Sequence, residues 1–295
     1  MRVLEFAWMS KYVHAPVEIP SCVLDDLAKL GELLDVTREA AQFGQSLLER
    51  VGGERERTGF SSDLETIANV IFGKGFKTFH SIRILCLHGC GADALVLCGS
   101  LFENLVDLLY IRQDLSRAHN YLAFEQVDKY YQAKKVLSRT DLTEQERNTY
   151  EEYLRELRPQ VKDSLGMFPT KSCWWKVTNE GSKPAKLTLR DRADAVGFGK
   201  QYDTFYYILC SYKHTSPAAA SGFMVQQATG VDVIVGPNVR GVYDAALHSA
   251  RYFLDLSGVF QDVYGLGAEA EVKALIHKLL QTGDRVLHAH PDICE

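Results

Sequence analysis

The chain carries none of the short signatures that announce a common enzyme: no Walker loop, no GxGxxG after a strand, no GxSxG and no HExxH. P-loop nucleotide chemistry, a dinucleotide fingerprint, a nucleophile elbow and a zincin site are thereby excluded. Positive charge is also short. Lys and Arg number 33 against 38 Asp and Glu, a net charge of −5, so no global field draws in nucleic acid. Any RNA or DNA contact must rest on a local basic patch. There is no internal repeat and no low-complexity tract. The opening MRVLEFAWMSKYVH lacks a basic stretch followed by a continuous apolar run, so no signal peptide is expected. Cysteines number seven, an odd count, and several lie inside apolar helical runs where they act as small hydrophobes. Reduced thiols and a cytoplasmic location are the expectation.

What is present supports a sizeable core: 295 residues, 46% hydrophobic and 24% charged. Helical spacing dominates. Pro20-Ser21 opens a first helix carrying Leu24, Leu27, Leu30, Leu33 and Leu34, with Gly52-Gly53 expected to end it. Ser62 and Glu65 read as a capping box, starting a helix that runs past Gly73 and Gly75 to His88. Between 125 and 166 the composition turns polar, and two solvated helices packed as a hairpin are expected, with Asp141 and Glu144 as cap. Thr188 and Asp191 cap a short helix, and another runs from Lys200 to Lys213. The β-branched runs in FMVQQATGVDVIVGP, about 222–236, read as a small hairpin. Helices over 238–264 and 269–281 close the pattern. The expected fold is mainly α, a multi-helix bundle with that one hairpin. Its parts are an N-terminal helical segment (1–58), a main domain (59–282) and a loose tail (283–295).

The segment Ala92–Ile111 is almost wholly apolar yet holds Glu103 and Asn104 at its middle. It is long enough to cross a bilayer, but each acidic group near a bilayer centre costs about 2.5–3.5 kcal/mol. With Asp93, Glu103 and Asp107 inside it, a buried core helix is the reading, and no membrane is expected. A buried carboxylate needs a partner. Gly99, Glu103 and Asp107 form one stripe, and Asp203, Tyr207, Ser211 and His214 form a second on YYILCSYKHTSP. His214 is the expected partner of Glu103, whose carboxylate would orient the ring. Pro217 stops the helix just beyond His214, leaving it at a terminus open to ligands. The candidate catalytic group is therefore His214, Glu103, Ser211 and Tyr207, with Asp107, Asn104, Lys213 and Trp174 as binding residues.

Three other constellations stand in the chain. Arg83 and His88 form an R-x4-H sequence like that of the HEPN ribonucleases, and are the alternative catalytic pair. Five residues apart, they point about 140° from one another on a straight helix. Cys86, His88 and Cys90 have metal-ligand chemistry but do not converge, so neither metal nor cofactor is expected. Trp174-Trp175 pins a loop or offers an aromatic platform.

The order FKTFHSIRILCLHG, CGSLFENLVDLLYI, CWW, YYILCSYKHTSP, NVRGVYDAALHSARYFLDLSGVF resembles a bacterial group catalogued as a domain of unknown function, over roughly 60–265. Phe102-Glu103 match its first motif, and Ser211 with His214 fit its second at slightly altered spacing. The arginine that group places four residues before the glutamate is Gly99 here, so any anion contact would come from Arg83, Arg112 or Arg251. The resemblance implies a helical fold similar to HEPN-type and abortive-infection proteins. Two functions follow as expectations. One is a metal-independent ribonuclease of a defence or toxin system, with RNA or an antitoxin as partner and self-association open. The other is a non-catalytic binding or scaffold module whose Glu–His pair is structural.

Overall fold

Ser62 is extended, and its hydroxyl accepts a hydrogen bond from the Glu65 N–H at 3.2 Å, which starts α3 (Asp63–Leu87). Gly89, at φ 69°, then turns the chain sharply into α4 (Gly91–Arg112), a conformation that favours glycine. The computed structural model describes residues 19–58, 62–168, 187–214, 224–227, 230–233 and 236–294. Trp174, Trp175 and Pro217 lie outside them.

Helices α3, α4 and α10 (Val242–Tyr264) form the centre. Phe72 stacks on Phe260 at 4.0 Å, and Phe79 on Phe253 at 4.5 Å, with both α3 rings fully buried. Such ring pairs add to the stabilisation their burial already supplies. A Cβ at Gly75 would stand 2.4 Å from Leu256 Cδ2, so glycine there lets α10 lie close against α3. α4 is long and apolar enough to cross a membrane by length and composition, but 61% of its apolar window is buried inside this bundle.

The outer helices complete the core and correct several expectations. The first helix divides at Leu30 into α1 (Ser21–Lys29) and α2 (Gly31–Thr58). Gly52-Gly53 does not end α2: both positions face open space, and an interior glycine costs only about 1 kcal/mol. α11 (Glu269–Ala289) runs eight residues beyond 281, and α12 (Pro291–Cys294) follows, so the stretch expected to be a loose tail is helical through most of its length. Burial of Val286 and Ile293 against the core supplies the reason.

α5 (Leu115–Leu137) and α6 (Glu144–Met167) form the polar hairpin. Its cap is Thr143 with Glu146, a reciprocal capping box, whereas Asp141 is held by Arg139. α6 continues through Pro159 to Met167. α7 (Leu189–Ala195) begins at the Thr188–Asp191 capping box. α8 (Gly199–Gln201), a π-helical segment (Tyr202–Tyr206) and α9 (Tyr207–Lys213) then run on against α4. Strands β1 (Met224–Gln227) and β2 (Gly230–Val233) pair antiparallel, with Met224 opposite Val233.

Candidate functional site

The α4 stripe lies along one seam. Gly99 faces Leu209 and Tyr206: a Cβ built there would meet both at 3.7 Å. One turn on, Glu103 Oε1 accepts a hydrogen bond from the Tyr206 hydroxyl at 2.6 Å. A turn further, Asp107 Oδ1 accepts from Arg192 Nε at 3.1 Å, with Nη2 at 3.0 Å. Position 99 meets 209, 103 meets 206, and 107 meets α7 still earlier in the chain, so the two runs are antiparallel.

That direction carries His214 away from Glu103. Eight residues beyond Tyr206, at 1.5 Å per residue, it stands about 12 Å further along the axis. It is exposed at the end of α9, where its N–H donates to the Cys210 carbonyl at 3.0 Å. The expected Glu103–His214 pair is therefore replaced by Glu103–Tyr206. The stripe proposed on this helix is its outer face: Tyr207 is 70% exposed, Asp203 is held by Arg190 at 2.9 Å, and the Ser211 hydroxyl donates to the Tyr207 carbonyl. The inward face is Tyr202, Phe205, Tyr206 and Leu209, all packed into or against the core. Lys213 is exposed. Asn104 is 5% exposed, and its Nδ2 has no hydrogen-bond partner among the described residues.

Arg83 and His88 do not converge either. Arg83 Nε donates to Thr37 Oγ1 on α2 at 3.2 Å, while His88 is exposed at the end of α3, its Nδ1 2.8 Å from the Ile84 carbonyl. The other expected contact residue, Trp174, lies outside the described residues.

Electrostatics follow from burial. Desolvation pushes the Asp107 carboxyl up to about 6; Arg192 pulls it partly back and the neighbouring Glu103 raises it further. Burial, and then the bond to Glu103, hold the Tyr206 hydroxyl well above the ordinary tyrosine range, so it remains a donor. On α10, His248 stacks on Phe205 at 3.5 Å, and burial lowers its pKa to about 4. Asp107 also opens onto a groove of about 560 Å³ between α3, α4 and α5, lined by Ile67, Val70, Tyr121, Glu125 and Asp128. A carboxyl titrating near 6 at the wall of a groove is able to exchange protons there. An acidic lining, however, repels phosphate.

Arg192, Tyr206 and His248 escaped the sequence reading. Arg192 stands in a short helix, LRDRADA, beside a second arginine that pairs outward. Tyr206 is the immediate neighbour of the tyrosine selected. His248 is the lone histidine of α10, with no spacing to mark it.

Fold and site together define a mainly helical bundle in whose central apolar helix two carboxylates, Glu103 and Asp107, are each tied to the 189–213 run. The chain belongs to a family of unknown function, DUF5677, whose family model matches residues 65–231. No curated protein matches it. No solved structure matches it either.

Proposed function

We propose that the protein is a non-catalytic helical binding module, in which Glu103–Tyr206 and Asp107–Arg192 are ties that fix the π-helical segment and α7 on α4. The observation that carries this reading is the 2.6 Å bond that occupies Glu103 with a tyrosine hydroxyl, while His214 is exposed at the far end of the same run. Cleavage of RNA by a histidine base calls for that base beside an orienting carboxylate and for cations around the phosphorane. Here the inward carboxylates are engaged by Tyr206 and Arg192, and the groove at Asp107 is acidic.

The competing reading, a metal-independent ribonuclease of a defence system, is tested directly. The full chain is incubated with a mixed RNA pool in chelator, alongside His214→Ala, Arg83→Ala and His88→Ala. The module reading expects the pool to stay intact in every tube. Cleavage by the wild type that disappears in His214→Ala, or in the Arg83 and His88 variants, overturns it.

A further inference from the structure

α5 and α6 meet along a groove of about 660 Å³ whose walls bring together Lys134, Arg155, Arg158 and Lys162 around Tyr130. The gathering is selective. α6 is an acidic helix, with Glu144, Glu146, Glu151, Glu152, Glu156 and Asp163 against Arg147, Arg155, Arg158 and Lys162. Three of those four cations line the groove, and of the acids whose side chains are described only Glu151 does. Arg155, Arg158 and Lys162 recur at i, i+3 and i+7, one stripe about 10 Å long. On α5, Glu125, Asp128 and the Glu125-paired Lys129 line the groove toward α3, while Lys134 lines this one.

The four cations are also available. Elsewhere on the hairpin Lys129 is paired with Glu125 and Arg139 with Asp141, but Lys134, Arg155, Arg158 and Lys162 stand in no ion pair among the described residues. All four are exposed. The ammonium of Lys134 lies 5.5 Å from the centre of the half-buried Tyr130 ring, so the ring face borders the cationic wall. In a chain of net charge −5 this is the local basic patch that nucleic-acid contact requires.

We propose that the α5–α6 groove binds single-stranded nucleic acid, its cations on the phosphodiester backbone and Tyr130 as a stacking face for a base. This names the partner of the binding module proposed above and rests on that reading. A concave groove does not enter a duplex, and only an unpaired base offers a face to a ring set in the wall. Guanidinium groups in a row suit phosphate oxygens.

The test is fluorescence anisotropy of the full chain with a labelled single-stranded RNA of about 16 nucleotides, the upper site size for such grooves. Binding at about 50 mM salt is expected to weaken with a slope near −3 in log K against log salt, as four phosphate contacts on a single strand require. Arg155→Glu with Arg158→Glu is expected to lower affinity at least about tenfold and flatten that slope. Tyr130→Ala is expected to cost about tenfold with the slope unchanged. Circular dichroism checks each fold, and Lys134→Gln with Lys162→Gln replaces the reversal if it fails to fold. No binding at about 50 mM salt, or affinity indifferent to these changes, overturns the proposal. So does a poly-glutamate peptide that competes as well as unlabelled RNA, which would mark an acidic protein partner. Gel analysis of the same tubes separates the two readings: RNA bound by the groove but cut would sink the non-catalytic reading and leave the groove standing, whereas intact, unbound RNA would do the reverse.

Discussion

Arg192 is 3% exposed, and its charge is tolerable there because Asp107 accepts from it. Removing one partner of such a pair leaves the other uncompensated, which costs more than removing both. Arg192→Met is therefore expected to destabilise the protein by about 3 kcal/mol, and Arg192→Met combined with Asp107→Leu to recover much of that loss in urea titration. A double variant no more stable than the single one would show that Arg192 acts through packing alone. The same two-sided bookkeeping governs pH. His248 has its pKa lowered to about 4, so between there and the ordinary histidine value the unfolded chain binds the extra proton, and stability is lost as pH falls through that window. Asp107, raised to about 6, binds its proton more readily when folded, so its contribution moves the other way and grows as pH falls from 7 toward 5. Between pH 7 and 5 the first effect amounts to about 2 kcal/mol and the second to about 1 kcal/mol, so the second offsets only part of the first in the wild type. His248→Phe should thus become more stable on acidification and Asp107→Asn less stable. Denaturation of both at pH 7, 6 and 5 checks it, and parallel profiles for the two variants would contradict the assignment.

At the scale of elements, periodicity and caps made the helices legible. Ser62 and Thr188 stand as N-caps where their spacing to Glu65 and Asp191 places them, because a side-chain oxygen satisfying a free N–H is a local matter. The stripe Gly99–Glu103–Asp107 also faces one seam, since it depends only on the helical repeat. Its partner was not legible. Two stripes on the 199–213 run satisfy the same geometry, and the polar one drew attention although the apolar one faces inward; the π-helical segment at Tyr202–Tyr206, which shifts phase, has no sequence mark. Glycines misled for a related reason: whether one breaks a helix depends on what packs against it. Gly91 is fixed by its neighbours, because a Cβ there would fall 2.1 Å from the Arg240 carbonyl oxygen, whereas at Gly73 nothing lies within 4 Å. Gly73→Ala is expected to raise stability by about 0.5–1 kcal/mol through helix propensity, and Gly91→Ala to lower it by more than that. Thermal melts of the two variants decide, and a Gly91→Ala protein as stable as the wild type would mean that the 236–241 loop does not hold α4 as described.

For the whole molecule, the distribution of apolar contacts sets what opens first. One cluster runs through α1–α4, the 189–213 run and α10–α12, joined by the first turns of α5. The far part of the hairpin has a separate, much smaller cluster: Val127, Val161 and Phe168, with Phe124, Tyr130, Tyr131 and Leu165 packed on it. Phe168 anchors it, lying edge-on to Phe124 at 5.3 Å, with its carbonyl accepting from the Tyr131 hydroxyl at 3.3 Å. So few buried contacts should allow α6 and the outer turns of α5 to open while the main bundle stays folded. Native-state hydrogen exchange is expected to show α6 amides exchanging at a lower free energy, and with a smaller dependence on urea, than amides of α3, α4 and α10. Phe168→Ala sharpens the test. It empties a fully buried aromatic site in the small cluster alone, so it should lower protection throughout α6 by about 3 kcal/mol, or by the whole of the hairpin's opening energy if that is smaller. Protection in α4 should be unmoved, since the main bundle keeps all its contacts. If the substitution instead lowered α4 protection by the same amount, hairpin and bundle would be one cooperative unit, and the basic groove would be as rigid as the core behind it.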